Sequence, residues 1–375
     1  MSAFATCLAD LRLAGCRVLV AGGTLSQSVF NARQVWTARQ GILLTLWDHD
    51  GCVGVGEASP LPGHSRSTFE ECVSVLHELG DLRAYTTGVD AEGWPLIPAL
   101  DAYPEARFAF ETALCDLLAR RSGVSVATFL GGQEQAAVVR SALISTLEEA
   151  HAAVRRGITT LKIKVGAAQS SDQESQKEAD KELLLLKQLR DELGHSVTLR
   201  LDANGVYPPD RARARLQDFA KYGVVLIEQP TSVAALATLG VCAIPWAADE
   251  SLSDFPCDAA SDPYAALLHA PGCAAFVIKP ALHGLRAARK LALRAQAQGL
   301  GVIVTHLFDG PVALAASCEL ALSLPLAPLP CGLDRHAGLS AWPSVEIAQH
   351  RQAAHLITPS GGVGLGFAQP GVPWS

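Results

Sequence analysis

The chain has 375 residues, of which 49% are apolar and only 18% charged, with a formal net charge of −7. At roughly 150 residues per domain, this length makes two domains or one large α/β barrel with additions. The composition excludes intrinsic disorder, and the absence of any Lys/Arg block points away from a nucleic-acid groove or an anionic membrane surface.

Residues 14–58 read as strands. The apolar run 41–47 leads into Asp48-His49-Asp50-Gly51, a hairpin turn signal, and a short strand over 52–57 follows. Helical periodicity begins near Thr68 and dominates 107–121. There Phe108, Leu114, Leu117 and Leu118 share one face, and Arg107, Glu111, Arg120 and Arg121 stay wet. These segments make an α+β unit over residues 1–135.

From Val138 short apolar runs alternate with helical stretches. The runs are 138–144, 160–165, 197–202, 224–228, 244–249, 275–279, 302–305 and, less clearly, 326–334. Helical stretches include 181–193, 211–222, 285–298 and 312–322. Such alternation means a parallel sheet, and eight repeats over about 200 residues predict a closed (β/α)8 (TIM-like) barrel over 136–339. The polar excursion 167–180 reads as an exposed loop or helix extension. The segment 340–375 ends in a Gly-rich tail and is expected to return to the N-terminal unit, completing a capping domain.

Ten cysteines, at 7, 16, 52, 72, 115, 242, 257, 273, 318 and 331, form no C-x-x-C pair. They read as reduced, buried small hydrophobes. The most apolar stretch, 312–329, contains Glu319, Pro325 and Pro328, which suits a core helix and loop rather than a membrane span. Met1 to Cys7 has neither a basic nor an apolar leader region, so a cytoplasmic protein is expected, or a stromal one after removal of a transit peptide.

In a barrel, reactive groups sit at the C-terminal ends of the strands. The second run ends Leu161-Lys162-Ile163-Lys164-Val165, so period-2 alternation places Lys162 and Lys164 on one face, inside the barrel. The next three runs end in acids: Asp202 before Ala203-Asn204, Glu228 before Gln229-Pro230, and Asp249 before Glu250-Ser251. Each acid taken alone could be a helix N-cap. Three in register converge on one point, would repel, and need a cation. All-oxygen ligands favour a hard divalent ion, Mg2+ or Mn2+. The sixth run ends Ile278-Lys279-Pro280, placing Lys279 opposite Lys164 across the ring. Such a site suits removal of a proton next to a carboxylate, with Lys164 as a neutral amine whose pKa is lowered by its charged neighbours. Arg200 shares the parity of Asp202 and is expected to point inward and pair with an acid. His306 reads as an exposed loop histidine.

The motifs K-x-K, D-x-N, E-Q-P, D-E-S and a later K-P resemble the muconate-lactonizing branch of the enolase superfamily, over nearly the whole chain. Residues 54–63 resemble that family's capping loop. Within the branch, Arg200-Leu201-Asp202-Ala203-Asn204, Asp249-Glu250-Ser251-Leu252, Ile278-Lys279-Pro280 and Gly332-Leu333-Asp334 are most similar to the o-succinylbenzoate synthases. The resemblance implies a Mg2+-dependent carbon-oxygen lyase. It would dehydrate 2-succinyl-6-hydroxy-2,4-cyclohexadiene-1-carboxylate through an enediolate, in menaquinone or phylloquinone synthesis. It implies Asp202, Glu228 and Asp249 as metal ligands, Lys164 as the base, and Lys279 as a cation over the planar intermediate. Lys162, Asn204 and Glu250 are implied as supporting residues, and Ser59, Thr305, Gly332 and Leu333 as substrate contacts. The partner implied is a small-molecule carboxylate, and no oligomeric state follows. N-succinylamino acid racemases, dipeptide epimerases and muconate cycloisomerases share the same lysines and metal. Dipeptide epimerases usually carry Asp-x-Asp at the eighth strand, where this chain has only Asp334. A non-enzymatic barrel would usually lose one of the five site residues, and all five are present.

Overall fold

A computed structural model of the chain describes residues 8, 11–30, 35–79, 88–90, 93–133, 136–166, 172–253, 262–342, 355–358 and 362–367. Strands β1 (Leu13–Phe30), β2 (Val35–Asp48) and β3 (Val53–Ala58) form an antiparallel sheet in that order. The predicted hairpin turn is present. The Asp48 carboxylate accepts from the Asp50 and Cys52 amides (3.0 and 2.8 Å), and Gly51 takes φ +80°. Helix α1 (Phe69–Glu78) starts at a capping box made by Thr68 and Glu71.

Helix α2 (Pro104–Arg121) departs from the one-faced reading, because it is buried along most of its length. Glu111 is buried and the Arg120 side chain is only 4% exposed, whereas both were expected to stay wet. On one side, the helix lies directly on β3. A Cβ at Gly56 would stand 1.9 Å from the Ala109 carbonyl oxygen, and one at Gly54 would stand 2.1 Å from that of Ala113. Residues 54–58 are therefore a packed strand, and only the stretch after Ala58 is free to act as a loop.

The run 138–144 divides. Strand β4 (Val138–Val139) pairs antiparallel with a late strand, while β5 (Ser141–Ile144) enters the parallel sheet. Then follow α3 (Leu147–Arg155), β6 (Thr160–Lys164), α4 (Asp172–Leu193), β7 (Thr198–Asp202), α5 (Pro209–Ala220) and β8 (Val224–Glu228). Next come β9 (Trp246–Ala248), β10 (Cys273–Ile278), α6 (Leu285–Ala297), β11 (Gly301–Val304), α7 (Pro311–Leu322) and β12 (Leu356–Ile357), the partner of β4. The parallel sheet has the order β11-β10-β9-β8-β7-β6-β5. The excursion read over 167–180 is helical from Asp172, and residues 167–171 lie outside the described set.

The eighth run, 326–334, makes no regular strand. Pro328 and Pro330 remove ladder donors. Its backbone nevertheless joins both edges of the sheet. The Leu329 and Gly332 amides donate to Val302 and Val304 (2.8 and 3.0 Å), the Cys331 amide to Val139 (2.8 Å), and the Ser141 amide to Cys331 (2.8 Å). Outward residues such as Leu161, Ile163, Leu199, Leu201 and Ile227 join the main core, while Leu226, Ala247, Ala275, Val277 and Ile303 form a separate apolar cluster.

Buried carboxylates tie the antiparallel sheet and α2 to the barrel. Glu57 accepts from the Val312 and Ala313 amides in the first turn of α7 (3.0 and 3.2 Å). Glu111 accepts from the Arg286 amide in the first turn of α6 (2.9 Å). Both exploit the unsatisfied donors and positive end of a helix. Asp116 accepts from Val55 and Leu365 (2.9 and 2.7 Å), so the tail segment does meet α2. The eight described cysteines are free; Cys72, Cys115, Cys318 and Cys331 are buried, and Cys7 and Cys257 lie outside the described residues. No helix among the described residues is long and apolar enough to cross a membrane.

Gly56→Ala should lower stability by about 1–3 kcal/mol, the usual range for forcing an extra methyl into a packed contact. Calorimetric unfolding measures this, and an unchanged midpoint would show that the β3–α2 contact is not tight.

Candidate metal centre and active site

Strand parity builds the site. On β6, Leu161 and Ile163 are buried outward, which turns Lys162 and Lys164 inward. Parallel register then sets Lys164 beside Asp202, and Asp202 beside Glu228. Asp249 follows β9 by one residue and Lys279 follows β10 by one. Asp202, Glu228 and Asp249 are 3%, 1% and 2% exposed, and one oxygen from each lies within 4.8 Å of the others.

Two ammonium groups sit against this triad. Lys162 Nζ donates to Asp202 Oδ2 (3.1 Å) and Glu228 Oε2 (3.0 Å). Lys279 Nζ pairs with Asp249 Oδ1. Burial works against the Lys162 charge, but Asp202, Glu228 and Asp249 outweigh it and hold the amine above its ordinary value. Lys279 is likewise buried yet held above its ordinary value by Asp249 and Glu250. Lys164 goes the other way: burial, helped by Lys162 and Lys279, outweighs the pull of Asp202 and holds this amine below the usual lysine range. Burial pushes Glu228 up, and at Asp202 burial is outweighed by Lys162, Lys164 and Lys279, so that carboxyl lies below its ordinary value.

Asn204 takes φ +45°, its amide donates to Asp202 Oδ1 (3.2 Å), and its side chain donates to Glu250 Oε1 (3.0 Å). Burial and the Asp249 charge push Glu250 up to about 7. Gln229 was not singled out from the sequence, although it stands inside the E-Q-P motif. It takes φ +39°, and its Oε1 accepts from the Asp249 and Ser251 amides (3.1 and 3.2 Å) while its Nε2 donates to Ser251 Oγ (2.8 Å). Gln229 thus orients the turn that carries Asp249.

The four expected substrate contacts divide. Thr305 and Gly332 come together at the ends of the seventh and eighth runs, with the Thr305 hydroxyl donating to the Gly332 carbonyl (3.1 Å). The Leu333 side chain is buried in the core, and the buried Ser59 hydroxyl donates to Glu57. Arg200 points inward but donates to the Pro330 carbonyl (2.8 Å) rather than forming an ion pair with an acid. His306 is not an exposed loop histidine. It stacks on His336 with ring centroids 4.0 Å apart and accepts from the Phe308 amide at Nδ1 (3.0 Å), and burial brings it down to about 4.

Arg39 also escaped the sequence reading. Only 2% exposed, it donates to the Ser59 and Pro60 carbonyls (2.7 and 2.9 Å) and to those of Leu307 and Phe308 (3.3 and 3.0 Å). The loop after β3 is thereby held against the loop after β11. Phe308 sits at φ +53° in the same seam. Asp334 is engaged by Arg156 (2.7 Å) and Arg140 (3.7 Å).

The donor set fits a hard divalent cation: three buried carboxylates, all oxygen, converging within one coordination sphere. The chain is 28% identical over 310 residues to a chloromuconate cycloisomerase of Cupriavidus pinatubonensis, covering 76% of this chain and 77% of that one. It is 32% identical over 194 residues to an o-succinylbenzoate synthase of Thermosynechococcus vestitus, about half of each chain (51% and 51%). Its fold matches that of the L-Ala-D/L-Glu epimerase of Bacillus subtilis with a TM-score of 0.77 at 22% identity, covering 95% of this chain and 98% of that one. The family described as enolase C-terminal domain-like matches residues 145–368. With that match spanning more than half of its length, the chain belongs to the enolase C-terminal domain-like family, within the enolase superfamily.

Proposed function

We propose that the protein is an o-succinylbenzoate synthase. It would convert 2-succinyl-6-hydroxy-2,4-cyclohexadiene-1-carboxylate to 2-succinylbenzoate in quinone biosynthesis. In this reading residues 1–135 with 340–375 form the cap and 136–339 the catalytic barrel. Asp202, Glu228 and Asp249 hold Mg2+, which supplies neutralisation of the substrate carboxylate and of the charge that develops on it. Lys164 removes the α-proton as a neutral amine, a state favoured by its burial. The resulting ammonium returns that proton to the departing hydroxyl, the C–O bond breaks, water leaves, and the ring becomes aromatic. Lys279, kept protonated by Asp249, holds positive charge on the opposite face. A Lys base beside a divalent cation is an established arrangement of the enolase superfamily.

The choice within the superfamily is carried by Asp334. It is the one acid available where a dipeptide epimerase would hold a substrate ammonium, and Arg156 and Arg140 engage it. An acylated or carbocyclic substrate without an ammonium group suits that environment. Racemisation of N-succinylamino acids uses the same groups, and the opposed shifts of Lys279, held above the ordinary lysine value, and Lys164, held below it, support it as a second reading.

Three outcomes test this. Purified protein should dehydrate the cyclohexadiene substrate with Mg2+, and Lys164→Ala should lower kcat by about 10²–10⁴-fold. Near wild-type turnover in that variant would remove Lys164 as the base. EDTA should abolish activity and lower the unfolding midpoint. Restored Mg2+ at about 100 times its Kd should return roughly 2.7 kcal/mol, and Asp202→Ala should lose this response. Because the reactive form of Lys164 is unprotonated, kcat/KM should fall as pH drops through its pKa. The midpoint of that acidic limb should lie below the ordinary lysine value. A limb at or above that value would contradict a depressed base.

A further inference from the structure

The inward positions of the barrel divide into two arcs of different chemistry. From β6 to the end of β10 they carry Lys162, Lys164, Arg200, Asp202, Glu228, Asp249 and Lys279, with the apolar Leu226, Ala247, Ala275 and Val277 on the same face earlier along β8 to β10. On β11, the 329–332 segment and β5, the described inward positions are Ile303, Thr305, Gly332, Ser141 and Leu143, none of them charged. Leu143 is the informative one. Its register partner is Lys162, so it shares the inward face of the lysine strand. Its neighbours Ala142 and Ile144 are 4% and 1% exposed beneath the outer layer, while Leu143 is 50% exposed. It belongs to neither apolar core. A leucine that faces into a closed ring and still meets solvent must line an open cavity, and a large apolar side chain gains nothing there until something apolar covers it.

We propose that Leu143 is a specificity-determining residue. It is the apolar wall, beside the Lys162–Lys164 strand, that receives the uncharged body of a substrate whose carboxylate lies at Asp202, Glu228 and Asp249. The inference rests on the proposed placement of the substrate carboxylate and adds the class of its remainder: cyclic or acylated, without a cationic group on that side. Burial lowers His306 to about 4 and lowers His336 as well, disfavouring their charged forms, and the Arg39 guanidinium is committed to four backbone carbonyls.

Calorimetric titration of the Mg2+-loaded protein separates this from the activity itself. The probes are 2-succinylbenzoate, which has an apolar ring, and succinate, which lacks one. Leu143→Ala should weaken 2-succinylbenzoate about tenfold and Leu143→Asn further, with Leu143→Met near wild type. Succinate should change by less than about twofold in all three. Because Leu143 is half exposed, these variants should keep the wild-type unfolding midpoint and its Mg2+ response. Equal losses for both probes, no loss for 2-succinylbenzoate, or no binding of it by the wild type would each overturn the assignment. Turnover of the cyclohexadiene substrate is read separately. Its absence with a Leu143-dependent Kd intact would remove the dehydration reading and leave this inference standing.

Discussion

Placing three carboxylates within 4.8 Å of one another, each almost wholly buried, is the constraint around which the barrel mouth is organised. Burial and mutual repulsion both oppose such a cluster, and only opposite charge at short range sustains it. Lys162 bridges two of the acids and Lys279 takes the third. That leaves Lys164 as the lysine of the three whose charge is disfavoured, because it is buried without an ion pair of its own and faces two other ammoniums. One amine able to accept a proton thus follows from how the others are spent.

The same economy of charge appears between the sheet-and-helix unit and the barrel. Glu57 and Glu111 lie on different elements, yet each ends in the first turn of a barrel helix, where unsatisfied amides replace water. Arg39 complements them by gathering carbonyls from the loops after β3 and β11. The seam is therefore joined by hydrogen bonds to backbone groups as well as by apolar contact, and the loop after β3 is tied to the loop after β11.

Much of the site was legible in the chain. Period-2 alternation across Leu161-Lys162-Ile163-Lys164 settles which side chains face inward, since a half-turn is intrinsic to a strand. The spacing of Asp202, Glu228 and Asp249 by one strand-helix unit each made their convergence readable once a barrel was inferred. The misreadings share one cause. Glu111, Arg120 and His306 look like surface residues because polar side chains usually are, and no local pattern reports that another layer will cover them. Arg200 was rightly turned inward, but its partner is a carbonyl of Pro330, which carries no sequence signature.

By itself, the sequence determined the alternation of strands and helices, the inward parity of the lysines and acids, and the hairpin turn at Asp48–Gly51, all properties of neighbouring residues. Tertiary structure alone decided the rest. The eighth run became a backbone clasp between both sheet edges. Asp334 was drawn to two arginines. Leu143 was left half-exposed on the inward face of its strand. Each of these depends on partners distant in the chain, whose positions exist only once the ring has closed.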